Sequence, residues 1–237
     1  MEQPSANSSR PGPAGPKGFS WDGYITGLSD FPSLTQKWER DFTETVRSVM
    51  ASRSDKNIID LGCSNGRWLR YFRREYQLRA FGLDNNPSGF ARRDLHFVLG
   101  DIASLPFPDR AFDLVLSLGL VEHFRRRARA AILEEHARIL RPGGLLICEI
   151  PILKLSFSYV HLKYKYDYQR GYRHYRTTDR ELKRKFRRLN MEIVADRYIG
   201  FFPERYNRVR KFPRLAGWFD KSRFFSDNYL VIARKKS

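Results

Sequence analysis

The chain has 237 residues, enough for one α/β domain with additions, and no apolar run near the roughly 20 residues that span a bilayer. Its formal net charge of +18 is uneven: residues 1–150 hold 21 Lys/Arg against 18 Asp/Glu, and residues 151–237 hold 23 against 8. Cys63 and Cys148 are the only cysteines, too few for a disulfide framework, and read as reduced core or loop residues.

Residues 1–18, rich in Pro, Gly and Ser, have the composition of a disordered tail and lack the apolar stretch of a secretory signal. A cytoplasmic protein is the default expectation. Residues 19–54 form an N-terminal helical extension, in which Leu34, Trp38, Phe42, Val46 and Val49 recur at helical spacing and Ser33 is the expected N-cap. Residues 55–237 then alternate short apolar runs with helical patterns, as βαβ units do. The strands are read at Ile58 to Leu61, Ala80 to Leu83, His96 to Leu99, Phe112 to Leu116 and Leu145 to Ile150. A helix is expected over Arg67 to Glu75. Another runs over Ala128 to Leu140, with Ala131, Ile132, Ala137 and Leu140 inward, stopped by Arg141-Pro142-Gly143-Gly144.

An insertion at about 152–178, dense in Tyr, Lys, Arg and His, interrupts the alternation. Thr178-Asp179-Arg180-Glu181 is a capping box opening a basic helix to about Leu189. Met191 to Tyr198 and Asn228 to Ala233 are the last two strands. The fold class expected is α/β: a Rossmann-like, doubly wound, mostly parallel seven-stranded sheet.

The strongest chemical signal is Ile58-Ile59-Asp60-Leu61-Gly62-Cys63-Ser64-Asn65-Gly66, a buried strand ending in an acid and a glycine loop that leads into a helix. Such a corner lets backbone N–H groups approach a ligand at the carboxyl end of the first strand. The spacing departs from the G-x-G-x-x-G of dinucleotide sites, and an acid at Asp60 suits a partly cationic ligand better than a pyrophosphate. Asp84, followed by Asn85, ends the second strand where a carboxylate can accept ribose hydroxyls; Asp101 and Ile102 follow the third, where they could receive an adenine. An isolated Asp at a strand end is more often a turn former, so the signal lies in the ordered combination.

With Phe112-Asp113-Leu114-Val115 and Leu140-Arg141-Pro142-Gly143-Gly144, these motifs resemble the class I S-adenosylmethionine-dependent methyltransferases, in particular the group acting on small molecules, lipids and sugars. The resemblance covers about residues 55–151 and departs at Ser64, where the family often has a glycine. It implies S-adenosylmethionine as cofactor, with Asp60, Gly62, Cys63 and Gly66 around the methionine part. Asp84 and Asn85 would lie at the ribose, Asp101 and Ile102 at the adenine, and Ser117 and Leu118 where the fourth strand opens on the cofactor. Glu122-His123 also fits the family; His123 is a candidate base, or serves only to shape the pocket. No run of the Asn-Pro-Pro-Tyr kind follows the fourth strand, which argues against methylation of exocyclic base amines.

For the acceptor, Tyr168, Arg170, Arg173, His174, Tyr175 and Arg176 are the candidate residues, since interleaved rings and guanidinium groups suit an anionic small molecule, glycan or lipid precursor. An RNA track and a solvated face are the competing readings. The Phe- and Arg-rich stretch from Phe201 to Phe225 adds a membrane-surface contact as an option. The expected activity is methyl transfer to an O or N atom of a small acceptor, anionic or membrane-associated. The alternatives are an RNA methyltransferase and a catalytically silent cofactor-binding protein. No metal site is read, and the oligomeric state is open.

Overall fold

A computed structural model describes residues 21–90, 94–151, 175, 177–200, 226 and 228–237. The helices are α1 (Trp21–Thr26), α2 (Lys37–Met50), α3 (Arg67–Tyr76), α4 (Arg126–Ile139) and α5 (Asp179–Arg188). The strands are β1 (Asn57–Leu61), β2 (Arg79–Asp84), β3 (His96–Leu99), β4 (Phe112–Leu118), β5 (Leu140–Pro151), β6 (Met191–Ile199) and β7 (Asn228–Lys235). They form one sheet in the order β3-β2-β1-β4-β5-β7-β6. The first five run parallel, and β7 is antiparallel to both β5 and β6. The strand order reverses between β1 and β4, and ligands of open α/β sheets bind at such a switch point.

Alternation along the strands divides the core in two. Ile58, Leu114, Leu116, Leu145, Ile147, Leu230 and Ile232 face α2 and α3, where Phe42, Val46, Trp68, Leu69 and Phe72 complete the layer. Ile59, Leu61, Val115, Leu146, Cys148 and Val231 face α4 and α5, which supply Ile132, Leu133, Leu182 and Phe186. Phe42 and Phe72 are fully buried, and each such side chain contributes on the order of 1.5–3 kcal/mol.

Three local expectations are corrected, and one helix was not read. The second helix starts at Lys37 with Gln36 as its N-cap; Ser33 lies upstream, its hydroxyl donating to the Glu39 carboxylate at 2.9 Å, while Leu34 takes a left-handed backbone with φ 54°. On α4, which begins two residues earlier than read, Ala131 is exposed, and Leu133 and His136 join Ile132 and Ala137 on the inner face at helical spacing. Arg141 to Gly144 belongs to β5, which runs from Leu140 with a register shift opposite Phe112 and Leu114. The helix α1 had no counterpart in the sequence reading.

Candidate cofactor and acceptor site

The loop after β1 is bound to the end of β2. The Leu83 carbonyl accepts from Gly62 N–H at 2.8 Å and from Cys63 N–H at 3.2 Å, and Gly66 N–H donates to the Cys63 carbonyl at 2.8 Å. Gly62, Ser64 and Gly66 all have left-handed backbones, with φ 74°, 53° and 77°. Glycine adopts that region freely, whereas Ser64 holds it at a steric cost, which is the physical reason for a glycine preference there. The Ser64 hydroxyl oxygen is buried without a hydrogen-bond partner among the described residues. The Cys63 thiol packs toward Gly82 and donates to the Ser64 carbonyl at 3.8 Å. Asp60 is buried at the end of β1, and burial together with the Asp84 carboxylate pushes it up to about 8.

Asp84 organises the neighbouring loops. One carboxylate oxygen accepts from Ser64 N–H at 2.8 Å and the other from Asn86 N–H at 2.9 Å. Each oxygen retains a lone pair for a further donor, as a ribose diol requires. Asn85 is exposed beside it. The following 3-10 turn, Pro87–Gly89, approaches the glycine loop so closely that a Cβ on Gly89 would lie 2.1 Å from the Ser64 carbonyl oxygen. After β3, Asp101 is exposed and its carboxylate accepts from Ala103 N–H at 2.8 Å, while Ile102 is 8% exposed and packs in the core with Leu83 and Leu105. Ile102 therefore presents little surface outward, and Asp101 serves first as a turn former.

The segment after β4 lies across the switch point. Ser117 is fully buried beside Cys148, and Leu118 is half-buried against the core layer of α2 and α3. Gly119 follows with φ 62°, its N–H donating to the Glu149 carbonyl at 3.1 Å. A Cβ there would lie 3.6 Å from the Glu122 carboxylate and 4.0 Å from that of Glu149, so two buried acids flank this turn. The Leu120 side chain covers Gly62. In the 3-10 turn Val121–His123, the His123 Nε2 atom is 3.8 Å from the Glu122 carboxylate, and the imidazole is half-buried.

Of the six acceptor candidates, Tyr175 is described; Tyr168, Arg170, Arg173, His174 and Arg176 lie outside the described residues. Tyr175 N–H donates to the Glu122 carbonyl at 2.7 Å, which joins the end of the insertion to the turn carrying His123. The buried Arg129 fixes that junction. Its guanidinium donates to the carbonyls of Val121 at 3.0 Å and Phe124 at 2.9 Å, and pairs with Glu181 at 2.9 Å. Sequence reasoning missed Arg129, Glu149 and Leu120. Glu149 stands at a strand end as Asp84 does and could have been found by the same rule; Arg129 gave no signal, being one of several arginines on a helix.

On the N-terminal side, Asn65 donates from its amide to the carbonyls of Leu28 at 3.1 Å and Ser29 at 3.2 Å, and Asn86 donates to the Asp22 carboxylate at 2.9 Å. The segment around α1 thus contacts the loops after both β1 and β2. The left-handed glycine loop, the Ser64 hydroxyl and the Asp84 carboxylate fit a small ligand carrying a diol and polar head groups. Among the described residues no group of His, Cys, Asp and Glu is placed to hold a metal, and no helix is long and apolar enough to cross a membrane.

Comparison with known proteins agrees with this geometry. The family model described as "Methyltransferase domain" matches residues 59–148. A fatty-acid O-methyltransferase of Mycolicibacterium smegmatis is 36% identical over 108 residues, covering 42% of this chain and 39% of that protein. The Bos taurus protein named "Probable tRNA methyltransferase 9B" is 33% identical over 134 residues, covering 53% of this chain and 27% of that protein. The chain thus spans well under half the length of these relatives. A solved S-adenosylmethionine-dependent methyltransferase of Archaeoglobus fulgidus shares the fold with a TM-score of 0.64 at 18% identity, covering 83% of this chain and 94% of that one. With the motif, the strand order and the family match in agreement, residues 59–148 carry a methyltransferase domain, and the chain is similar there to S-adenosylmethionine-dependent methyltransferases.

Proposed function

We propose that this chain transfers a methyl group from S-adenosylmethionine to an O or N atom of a small acceptor, anionic or membrane-associated. The observation that carries the reading is the bond from Tyr175 N–H to the Glu122 carbonyl, 2.7 Å long, which sets Tyr175, one of the candidate acceptor residues, beside the turn that carries His123. Similarity to a fatty-acid O-methyltransferase supports a lipidic acid or alcohol as acceptor.

In this reading the backbone of Gly62, Cys63 and Gly66, with Asp60, holds the amino-acid end of the cofactor. Asp84 and Asn85 hold the ribose, Asp101 and Ile102 border the adenine, and Ser117 and Leu118 form the floor under β4. The bound cofactor supplies an electrophilic methyl group on a sulfonium. The chain then has to align an acceptor lone pair with that methyl and exclude water, and alignment alone accounts for much of the rate. His123 accepts the proton that an acceptor hydroxyl or amine releases, with the Glu122 carboxylate 3.8 Å from its Nε2 atom.

The test is transfer of an isotopically labelled methyl group from S-adenosylmethionine into fractionated cell extracts, read by mass spectrometry. Label in a small-molecule or lipid fraction supports the reading. Label in RNA replaces it with the RNA methyltransferase, and tight cofactor binding without label in any fraction replaces it with a silent binding protein. With the labelled acceptor in hand, a His123→Ala variant that keeps the parent turnover across pH would remove the base and leave His123 a pocket-shaping residue.

A further inference from the structure

Three successive arginines, Arg125, Arg126 and Arg127, cap and open α4, whose first turn holds no acid. A helix N-terminus carries partial positive charge, so it disfavours cations there. All three are exposed. On α5, Arg180, Arg184, Arg187 and Arg188 are exposed on the face opposite the buried Leu182 and Phe186.

The two helices lie side by side and point the same way, because Arg129 pairs with Glu181 at 2.9 Å and, further along both, Lys185 pairs with Glu134 at 2.5 Å. Their N-terminal ends therefore share one edge of the molecule. The acids of this region are engaged elsewhere: Glu181 and Glu134 in those pairs, Asp196 with Lys183 at 2.6 Å, and Asp179 with the Tyr198 hydroxyl at 2.8 Å. Among the described residues none of the seven exposed arginines has an acidic partner. The arginine face also borders the acceptor side, since the Arg125 guanidinium lies 5.9 Å over the Tyr175 ring and Tyr175 is bonded to the Glu122 turn.

We propose that this exposed arginine face, the first turn of α4 together with α5, seats the protein on an anionic lipid bilayer with the acceptor side toward the surface. The inference rests on the proposed membrane-associated acceptor and gives that reading a docking surface. Charge complementarity selects the occupant. Guanidinium groups pair bidentately with phosphate, and an anionic leaflet attracts basic residues held within a Debye length of it. Surfaces that track single-stranded nucleic acid interleave aromatic platforms with the charges. The exposed face of α5 carries arginine without an aromatic residue among them.

The experiment is co-sedimentation of the full chain with vesicles of phosphatidylcholine alone or with about one third phosphatidylglycerol, at roughly 0.1 M salt. The parent should bind the anionic vesicles at least about thirtyfold more tightly, and Arg180, Arg184, Arg187 and Arg188 changed together to Gln should remove most of that difference. The exposed positions of these residues leave the fold and S-adenosylhomocysteine binding unchanged, checked by circular dichroism and calorimetry. A second variant, Arg126 and Arg127 to Gln, should lose binding to a smaller extent. Equal vesicle binding by parent and quadruple variant overturns the inference. So does tighter binding of mixed tRNA than of vesicles with the same arginine dependence, which would assign the face to RNA. Vesicle binding needs no turnover, so the two readings fail separately. Labelled small molecules without arginine-dependent binding sink the docking surface alone, and binding without a labelled small molecule sinks the acceptor reading alone.

Discussion

At Ser64 the backbone is left-handed at φ 53° and the hydroxyl is buried without a partner among the described residues. Replacing it by glycine removes the steric cost and the desolvated hydroxyl, partly offset by the greater chain entropy of unfolded glycine. Ser64→Gly is expected to gain about 0.5–1 kcal/mol in denaturant unfolding; a loss would show that the hydroxyl holds the loop. His136 presents the opposite case, a titratable group in the core of α4 that burial pushes down to about 4. Its folded value lies below the unfolded one of about 6.5, so the unfolded state binds more protons between the two. The contribution of His136 is therefore complete above pH 6.5 and is lost as the pH drops toward 4, by up to about 3 kcal/mol, whereas the raised carboxyl of Asp60 acts in the opposite sense and is common to parent and variant. Unfolding midpoints at pH 7 and near pH 4.5 should separate the parent from His136→Leu, in which this loss is absent. A common slope in both proteins would place the acid sensitivity elsewhere.

Among the elements, β3 was legible to the residue and the other strands to within two positions, apart from β5, whose start was read five residues late, because alternation and the glycine loop are written locally. The capping box of α5 was half right. The Thr178 hydroxyl accepts from Glu181 N–H at 3.1 Å, but the Glu181 carboxylate turns to Arg129. Thr178→Ala should cost about 1 kcal/mol, read from the shift in the thermal or denaturant midpoint. No change there would mean that packing of Leu182 and Phe186 alone fixes the helix start. What was not legible depends on distant partners. The six residues of α1 carry no usable period, and the contacts of Asp22 with Asn86 and Ser88 join residues more than sixty positions apart. Asp113, read only as part of a motif, in fact accepts from the N–H groups of Lys56 at 2.9 Å and Asn57 at 2.6 Å, tying the entrance of β1 to β4. The loop after β1 was legible because Gly62 and Gly66 hold left-handed backbones that glycine adopts freely. Arg129 was not legible, since the arginines of α4 are alike in sequence and differ in burial.

For the molecule as a whole, the site joins the ends of β1, β2 and β4, so a ligand there stabilises the sheet at its switch point. S-adenosylhomocysteine at about 100 times its dissociation constant should add about 2.7 kcal/mol and raise the melting temperature, while NAD at equal concentration should not. A matching shift with NAD would contradict the family assignment. The strand β6 has β7 as its sheet neighbour, and β7 lies between β6 and β5. During synthesis the ribosome delivers β6 well before residues 228–235 emerge, leaving one edge of β5 and both edges of β6 unpaired while they wait. Unpaired strand edges are templates for association with other chains. The interval between translation of residues 199 and 235 is thus a period in which this protein is exposed to association with other chains, and in which a chaperone would protect it.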